Sequence, residues 1–296
     1  MDYQVIAKEF VSYLSGKGRS ESTIIAYKKD ISQLCDYIQK NNNPIKLENV
    51  TPDLLQNYID SLISSNTVTL KTVSRKINSL KTFFKFLYSE GKLKDNPARS
   101  VQHPKLQPVT PRILTSLEYR SIRDVARSNH KHYTMVELLL QTGLRIGELS
   151  RLKRADVVFN KDGKNYLYIT AYSSLRDRKI ELNPLVFQAL QDYLNRNPVI
   201  SNFDHTPEYL FFTKSGKPVL IRNIRTALNR IFVKAGIKNA TVNDLRNTFI
   251  VYQLENGIRL EKLAEIVGHK KASTTQRYLQ FLETRNRKEH TRITPL

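Results

Sequence analysis

An apolar side chain every three or four positions, repeated over four separate stretches, constrains the first hundred residues more than any other feature. In residues 22–39, the apolar residues Ile24, Tyr27, Ile31 and Leu34 fall on one face of a helix. The same spacing recurs at residues 2–14, 51–63 and 70–91. Because an amphipathic helix must bury its apolar stripe against another element, these stretches predict a compact bundle of about four helices with basic outer faces.

A proline-rich stretch divides the chain. Residues 95–115 contain four prolines and little periodicity, as expected of a linker between domains. We therefore expect a helical domain at residues 1–96, a linker at 97–112 and a second domain at 113–296, with a C-terminal tail at 279–296.

The second domain mixes helices with a few short strands. Residues 157–170 predict two strands around a KDGK turn, and residues 178–182 predict a third. Helical patterns precede them at 116–128 and 134–142 and follow them at about 184–196, 222–235, 243–256 and 260–267. The predicted fold class is mainly α with a small antiparallel sheet: a helical N-terminal domain followed by an α+β domain.

The charge of the chain points to a polyanionic partner. Lysine and arginine number 48 against 27 acidic residues, a formal net charge of +21. The excess is +6 in residues 1–110 and +15 in residues 111–296, so both halves carry it. Nucleic acid is the first expectation. An anionic membrane surface is a weaker alternative, because no polybasic cluster lies beside an apolar anchor, and a merely solvated basic surface is another.

The remaining bulk features favour a cytoplasmic location. Cys35 is the sole cysteine, so no intramolecular disulfide can form. The opening MDYQVIAKEF lacks the apolar run of a secretory signal, and no stretch approaches the roughly 18 apolar residues of a membrane span.

The candidate chemistry lies in the second half, where metal-site spacings and a phosphate-binding GxxxxGK[ST] loop are both missing from the sequence. Arg145 follows a glycine turn, Arg246 lies near a helix start, and the segment GHKKASTTQRYLQ contains His269 and Tyr278. Each arginine alone is compatible with a surface ion pair. Together these residues suggest phosphoryl transfer, in which guanidinium groups bind phosphate oxygens and a tyrosine oxygen attacks phosphorus. Exchange of one phosphodiester for another is nearly isoenergetic, so no nucleotide cofactor is expected. The missing metal-site spacings predict a site without a metal ion.

Three segments in order carry a family resemblance. TGLRIGEL (142–149), LRNTF (245–249) and VGHKKASTTQRYL (267–279) resemble the three signature boxes of the tyrosine recombinases, which include the lambda-type integrases and Xer-type recombinases. The resemblance covers essentially the whole chain, and the length is similar to compact Xer-like enzymes and transposon-borne resolvase/integrases. It implies a SAM-like, helical core-binding domain followed by a linker and a catalytic domain.

The resemblance also implies residue roles. Arg145 and Arg246 would bind the scissile phosphate, and His269 would orient the nucleophile or the phosphate. Tyr278 would be the nucleophile, forming a 3′-phosphotyrosine and releasing a 5′-hydroxyl. Glu148 would support the first arginine without taking part in the chemistry.

Two positions depart from the family pattern. Asn243 stands where the family usually has the first histidine of HxLRH; it can hydrogen-bond a phosphate oxygen or the tyrosine hydroxyl, but it cannot shuttle a proton at neutral pH. Ser173 stands where the family has a lysine that protonates the leaving 5′-oxygen. The candidates to replace that lysine are Lys164, Arg176, Arg178 and Lys179, and a lysine suits proton donation better than an arginine.

The resemblance predicts a site-specific DNA recombinase. Its partner would be double-stranded DNA with an inverted-repeat site, bound by a homodimer and recombined in a tetramer through a Holliday junction, with accessory DNA-bending proteins possible. The tail at 279–296 would either pack into a neighbouring protomer or fray. The alternatives are a catalytically silent DNA-binding or architectural relative and a type IB topoisomerase.

Overall fold

The computed structural model describes residues 3–40, 46–107, 110–160, 164–170, 177–196 and 207–290. The chain divides into two compact units, Met1–Pro108 and Val109–Leu296. The fold class expected from the sequence is confirmed, because helices predominate and the described strands form one small antiparallel sheet.

The first unit is a bundle of amphipathic helices. Its helices are α1 (Tyr3–Gly16), α2 (Glu21–Lys40), α3 (Pro52–Ser64) and α4 (Leu70–Ser89), with a short 3-10 helix at Leu47–Asn49. The periodic apolar residues of the sequence form its core, where Leu34, Leu55, Phe83 and Leu87 are fully buried. The four helices predicted from apolar spacing are therefore present, with ends shifted by one or two residues.

Local sequence fixes the helix starts in this unit. The Thr51 hydroxyl accepts a hydrogen bond from the backbone N–H of Leu54 at 3.2 Å, and Pro52 occupies the first turn, where its missing N–H costs nothing. Thr69 caps α4 in the same way through the N–H of Thr72.

A buried carboxylate joins α2 to α4. Asp30, only 2% exposed, accepts hydrogen bonds from Ser79 Oγ at 2.6 Å, Arg75 Nη2 at 2.9 Å and Lys76 Nζ at 3.2 Å. Lys76 is also buried, so its charge depends on this partner. The cluster fixes the packing of α4, the most basic helix of the unit, against α2.

The second unit contains eight helices and a sheet among its described residues. The helices are α5 (Ser116–Ala126), α6 (His130–Thr142), α7 (Ile146–Arg151), α8 (Pro184–Arg196), α9 (Ile221–Lys234), α10 (Val242–Glu255), α11 (Leu260–Val267) and α12 (Ala272–His290); the strands are β1 (Val157–Val158), β2 (Tyr166–Ile169) and β3 (Arg178–Glu181). The turn residues 161–163 and the segment 171–176 between β2 and β3 lie outside the described residues.

The sheet directs the side chain of Arg178, on β3, into the interior of the second unit. Its order is β1-β2-β3, and Arg178 pairs in register with Ile169 of the neighbouring strand. Because side chains alternate along a strand, Arg178 and Ile180 face inwards while Lys179 and Glu181 face outwards.

Helix α10 lies deep in the second unit. A capping box starts it, in which the N–H of Thr241 donates to Asp244 Oδ2 at 2.7 Å. Further along, Phe249 and Ile250 pack with Leu263 and Val267 of α11, and the ring of Tyr278 from α12 lies against this cluster. The apolar contacts thus bring the three helices that carry the last two signature boxes together.

Searched over its described residues, the chain has no helix that combines the length and the apolar character needed to cross a membrane.

Candidate active site

The turn between α6 and α7 positions the first arginine. Gly143 ends α6 with a φ of 63°, and a β-carbon there would meet Phe249 Cδ1 at 2.5 Å, so both the conformation and the space require glycine. Arg145 follows at the start of α7, where its backbone N–H donates to Glu148 Oε2 at 2.8 Å. The helix α7 is six residues long and was not predicted as a helix from the sequence.

Two arginines from different boxes converge on the end of α11. Arg145 donates from Nη1 to the carbonyl oxygen of Val267 at 3.0 Å and from Nη2 to that of Gly268 at 2.9 Å. Arg246, on α10, donates from Nη2 to the same Val267 oxygen at 2.8 Å and from Nη1 to the carbonyl oxygen of Gly143. Carbonyls at a helix C-terminus carry partial negative charge, so the Val267 carbonyl can accept hydrogen bonds from both guanidinium groups.

Arg178 is a third, buried arginine of the same cluster. Its Nη1 and Nη2 each donate to one oxygen of Glu148 at 2.8 Å, and its Nε donates to the carbonyl oxygen of Ile266 at 2.7 Å. Glu148 is also within 3.4 Å of Arg145 Nη1, so one carboxylate supports two arginines. The predicted supporting role of Glu148 agrees with this geometry, whereas the part played by Arg178 was not anticipated.

The charges in this cluster shift each other's pKa values. Burial alone would raise the pKa of Glu148, but the hydrogen bonds and charge of Arg178, together with Arg145, hold it below its ordinary value. Burial lowers the pKa of Arg246 to about 9, and the positive charge of Arg145 acts in the same direction. Arg246 therefore keeps its charge at neutral pH.

His269 lies beside this positive cluster. Burial lowers the pKa of its imidazole to about 4, and the charges of Arg246 and Arg145 add to the effect. Its Nδ1 is 2.8 Å from the hydroxyl oxygen of Thr275, which is completely buried. The ring is thus neutral at physiological pH and held in one orientation.

Tyr278 is on α12, nine residues after His269. The two rings are stacked with centroids 6.3 Å apart and an angle of 15° between their planes. The Tyr278 hydroxyl donates to Oδ1 of Asn247 at 2.8 Å. Burial raises the pKa of the phenol, while the charges of Arg246 and Arg145 oppose that rise.

Asn243 does not hold the tyrosine. Its side chain is exposed at the start of α10, and the hydroxyl is bound one helical turn further along, by Asn247. The sequence allowed Asn243 two contacts, one with the tyrosine hydroxyl and one with a phosphate oxygen. In the structure, Asn247 makes the contact with the hydroxyl. The contact with phosphate stays a prediction.

The structure narrows the search for the missing lysine. All three guanidinium nitrogens of Arg178 are engaged with Glu148 and a backbone carbonyl. Lys179 lies on the outer face of the sheet, with its ammonium 3.4 Å from the ring centroid of Tyr166. Lys164 is exposed just before β2, and both Ser173 and Arg176 lie outside the described residues. Arg178 and Lys179 are therefore poor choices, and the choice between Lys164 and Arg176 stays open.

Sequence reasoning missed three residues of the site: Arg178 as a support, Thr275 as the partner of His269, and Asn247 as the partner of Tyr278. A signal existed for two of them. Thr275 belongs to the STT run of the third box, and Asn247 occupies the last position of the segment aligned with HxLRH. In the part of the chain that the structure describes, no group of three or more His, Cys, Asp or Glu side chains is arranged to hold a metal ion.

Comparison with known proteins identifies the class. The model of the phage integrase family matches residues 112–285, and that of the phage integrase N-terminal SAM-like domain matches residues 7–91. The chain therefore belongs to the phage integrase family. This membership confirms the tyrosine recombinase predicted from the three boxes, an enzyme of DNA strand breakage and rejoining.

Individual relatives agree with that placement. The tyrosine recombinase XerC of Lactobacillus leichmannii is 28% identical over 280 residues, covering 92% of this chain and 93% of the relative. The tyrosine recombinase XerD of Rickettsia bellii is 28% identical over 290 residues, covering 91% and 93%. Among solved structures, a lambda integrase tetramer bound to a Holliday junction has a TM-score of 0.71 at 18% identity, over 93% of this chain and 76% of that one. The last comparison supports the fold.

Proposed function

We propose that Tyr278 is the nucleophile of this recombinase and that Arg145, Arg246 and His269 complete its active site. The observation that carries the proposal is their convergence: two guanidinium groups share the Val267 carbonyl, and the ring of His269, two residues after Val267, stacks on Tyr278. The four residues come from three separate segments of sequence, and the fold gathers them in one place.

The proposed reaction is a phosphoryl transfer to tyrosine. The phenol oxygen of Tyr278 forms a bond to phosphorus, the bond from phosphorus to the 5′-oxygen breaks, and a 3′-phosphotyrosine and a 5′-hydroxyl result. The phenol gives up one proton and the 5′-oxygen takes one up, so no net proton is consumed. Attack by a 5′-hydroxyl of the partner strand reverses these steps and rejoins the DNA.

Each residue contributes one physical effect. Arg145 and Arg246 stabilise negative charge on the non-bridging oxygens as it grows in the transition state. Neutral His269 would offer a hydrogen bond to the phosphate or the nucleophile, and exposed Asn243 would donate to a phosphate oxygen. The proton for the leaving 5′-oxygen would come from Lys164 or Arg176, of which lysine is the better acid.

The proposed partner is double-stranded DNA with inverted half-sites. Residues 1–96 would form the core-binding domain, 97–112 the linker and 113–296 the catalytic domain, in a cytoplasmic protein. The related lambda integrase forms a tetramer on a Holliday junction. We extend that assembly to this chain and propose that the tail, 279–296, packs into a neighbouring protomer.

A suicide substrate tests the nucleophile. DNA nicked next to the cleavage point loses the short strand with its 5′-hydroxyl, so the wild type should accumulate a covalent protein–DNA adduct that survives denaturation. Tyr278→Phe should abolish the adduct while DNA binding stays within about twofold. Tyr252→Phe, which alters an exposed tyrosine on α10, is the matched control and should cleave normally.

The same substrates separate the alternatives. A silent DNA-binding relative would bind DNA and trap no adduct even as wild type. A type IB topoisomerase would relax supercoiled DNA that lacks any recombination site, whereas a recombinase would not.

A further inference from the structure

Asn247 is the direct hydrogen-bond partner of the proposed nucleophile. It follows Arg246 on α10, is half-buried, and accepts the Tyr278 hydroxyl at 2.8 Å through Oδ1. We propose that Asn247 is a positioning residue that orients the Tyr278 hydroxyl for attack on the scissile phosphate. This inference rests on the proposed role of Tyr278.

The amide of Asn247 can bind in one direction only. Its Nδ2 lies 3.5 Å from the carbonyl oxygen of Arg112 and 3.5 Å from Oδ1 of Asp244. Both neighbours are acceptors, so a flipped amide would place its oxygen against two other oxygens. The amide oxygen is therefore the atom directed at Tyr278.

Asp244 is itself fixed by the start of the helix. Its second oxygen, Oδ2, accepts the backbone N–H of Thr241 at 2.7 Å, and Asp244 is only 6% exposed. Hydrogen bonds thus run without a break from the cap of α10, through Asp244 and Asn247, to the hydroxyl on α12. A rigid helix start sets the position of the attacking oxygen.

An orienting acceptor at this point has a chemical consequence. A phenol has one proton, and a hydrogen bond to Asn247 fixes the rotation of that proton and hence the direction of the oxygen lone pairs. Reaction rates are sensitive to such placement, since a misplacement of about 1 Å can cost about 10²-fold. An amide does not accept the proton at neutral pH, so Asn247 orients the hydroxyl and does not act as a base.

The neutral charge of the acceptor matters as well. Burial raises the pKa of the Tyr278 phenol, and the charges of Arg246 and Arg145 partly offset that rise in favour of the ionised form. A carboxylate at position 247 would oppose that form by like-charge repulsion. An amide keeps the geometry without that penalty, which distinguishes Asn247 from an acidic residue of the same shape.

The test measures single-turnover cleavage of the suicide substrate by the full chain at saturating protein over a range of pH. Asn247→Ala should lower the cleavage rate about 10-fold to 100-fold with DNA affinity within about twofold of wild type. Asn247→Asp, which preserves shape, should shift the rise of rate with pH to higher pH. Asn256→Ala removes an exposed asparagine at the other end of α10 and should behave as wild type.

A substrate with sulfur at the bridging 5′ position shows whether a variant impairs attack by the nucleophile or protonation of the leaving group. A thiolate leaves without needing a proton, so a defect in the nucleophile should persist on this substrate, whereas a defect in leaving-group protonation should disappear. The Asn247→Ala defect should persist.

Several outcomes would overturn the proposal. Asn247→Ala could cleave as fast as wild type or faster, as it would if the contact merely held the tyrosine at rest. The defect could vanish on the sulfur substrate, or the pH profile of Asn247→Asp could superimpose on that of wild type. If Asn247→Ala does not fold, Asn247→Asp decides alone through its pH profile. Adduct formation by Tyr278→Phe would instead remove the nucleophile assignment itself, so the two failures are distinguishable.

Discussion

Arg145 and Arg246, the arginines of the first two signature boxes, donate hydrogen bonds to backbone carbonyls and also carry the positive charge that would bind a phosphate. Arg145 and Arg246 together bind the carbonyls of Gly143, Val267 and Gly268. A guanidinium has five N–H groups, so these contacts leave donors for a ligand. The arginines therefore fix the segment that leads into His269, and the histidine owes part of its low pKa to them.

The low pKa of His269 predicts a pH-dependent stability. Its pKa in the folded chain, about 4, lies below the ordinary value of 6.5. Between these two pH values, His269 is mostly protonated in the unfolded chain and mostly neutral in the folded chain. The contribution of His269 should favour folding fully above pH 6.5 and be lost progressively as the pH falls towards 4. His269→Asn should remove it, so urea unfolding at pH 7 and pH 5 should show a smaller loss of stability for the variant than for wild type. Equal losses in the two proteins would contradict the assignment.

At the scale of elements, the sequence was informative wherever a helix has a long apolar stripe. The helices of the first unit and α8–α11 follow such stripes, and the three boxes contain Arg145, Arg246, His269 and Tyr278, which the fold brings close together. Helix α7 was missed because six residues are too few to show a period. The start of α12 was missed because its first turn, with Ser273 and Thr274, is polar and exposed.

Partners across the fold were beyond the reach of sequence. Arg178 and Glu148 are 30 residues apart, and Asn247 and Tyr278 are 31 apart. Asn243 and Asn247 both align with a histidine of HxLRH and lie on α10 one turn apart, so the motif does not say which amide meets the hydroxyl. Only the packing of α12 against α10 decides which amide meets the hydroxyl, and that packing depends on the apolar cluster around Phe249.

The end of α6 offers a test of how tightly that cluster is packed. Gly143→Ala should combine the cost of a positive φ, about 1–2 kcal/mol, with about 1–3 kcal/mol for forcing a β-carbon against the buried Phe249 ring. Gly236→Ala has a similar φ of 73° but open space around the new β-carbon, so it should show only the first cost. Urea unfolding of both variants gives the comparison. Equal destabilisation would mean that the ring moves aside freely.

At the scale of the whole molecule, both units have their own apolar core and both carry excess positive charge. Net charge alone attracts DNA at a distance, whereas phosphate contacts require cations placed together. In the first unit, a groove beside α4 is lined by Lys17, Arg19, Lys81 and Lys85, with no acidic residue among the side chains that line it. Because these cations lie on one surface, we expect phosphate contacts in this groove.

The salt dependence of DNA affinity distinguishes direct phosphate contacts from attraction by net charge. Each phosphate contact contributes about −0.9 to the slope of log affinity against log salt concentration. If Lys81 and Lys85 each contact a phosphate, the double variant Lys81→Glu/Lys85→Glu should make the slope shallower by about 1.8. Lys94→Glu/Lys105→Glu changes the net charge of the same unit equally at two exposed lysines outside the groove, and it should leave the slope nearly unchanged. Fluorescence anisotropy of a labelled duplex, titrated at several salt concentrations, measures both slopes. Equal slopes for the two variants would show that the groove makes no phosphate contacts and that the unit attracts DNA through its total charge alone.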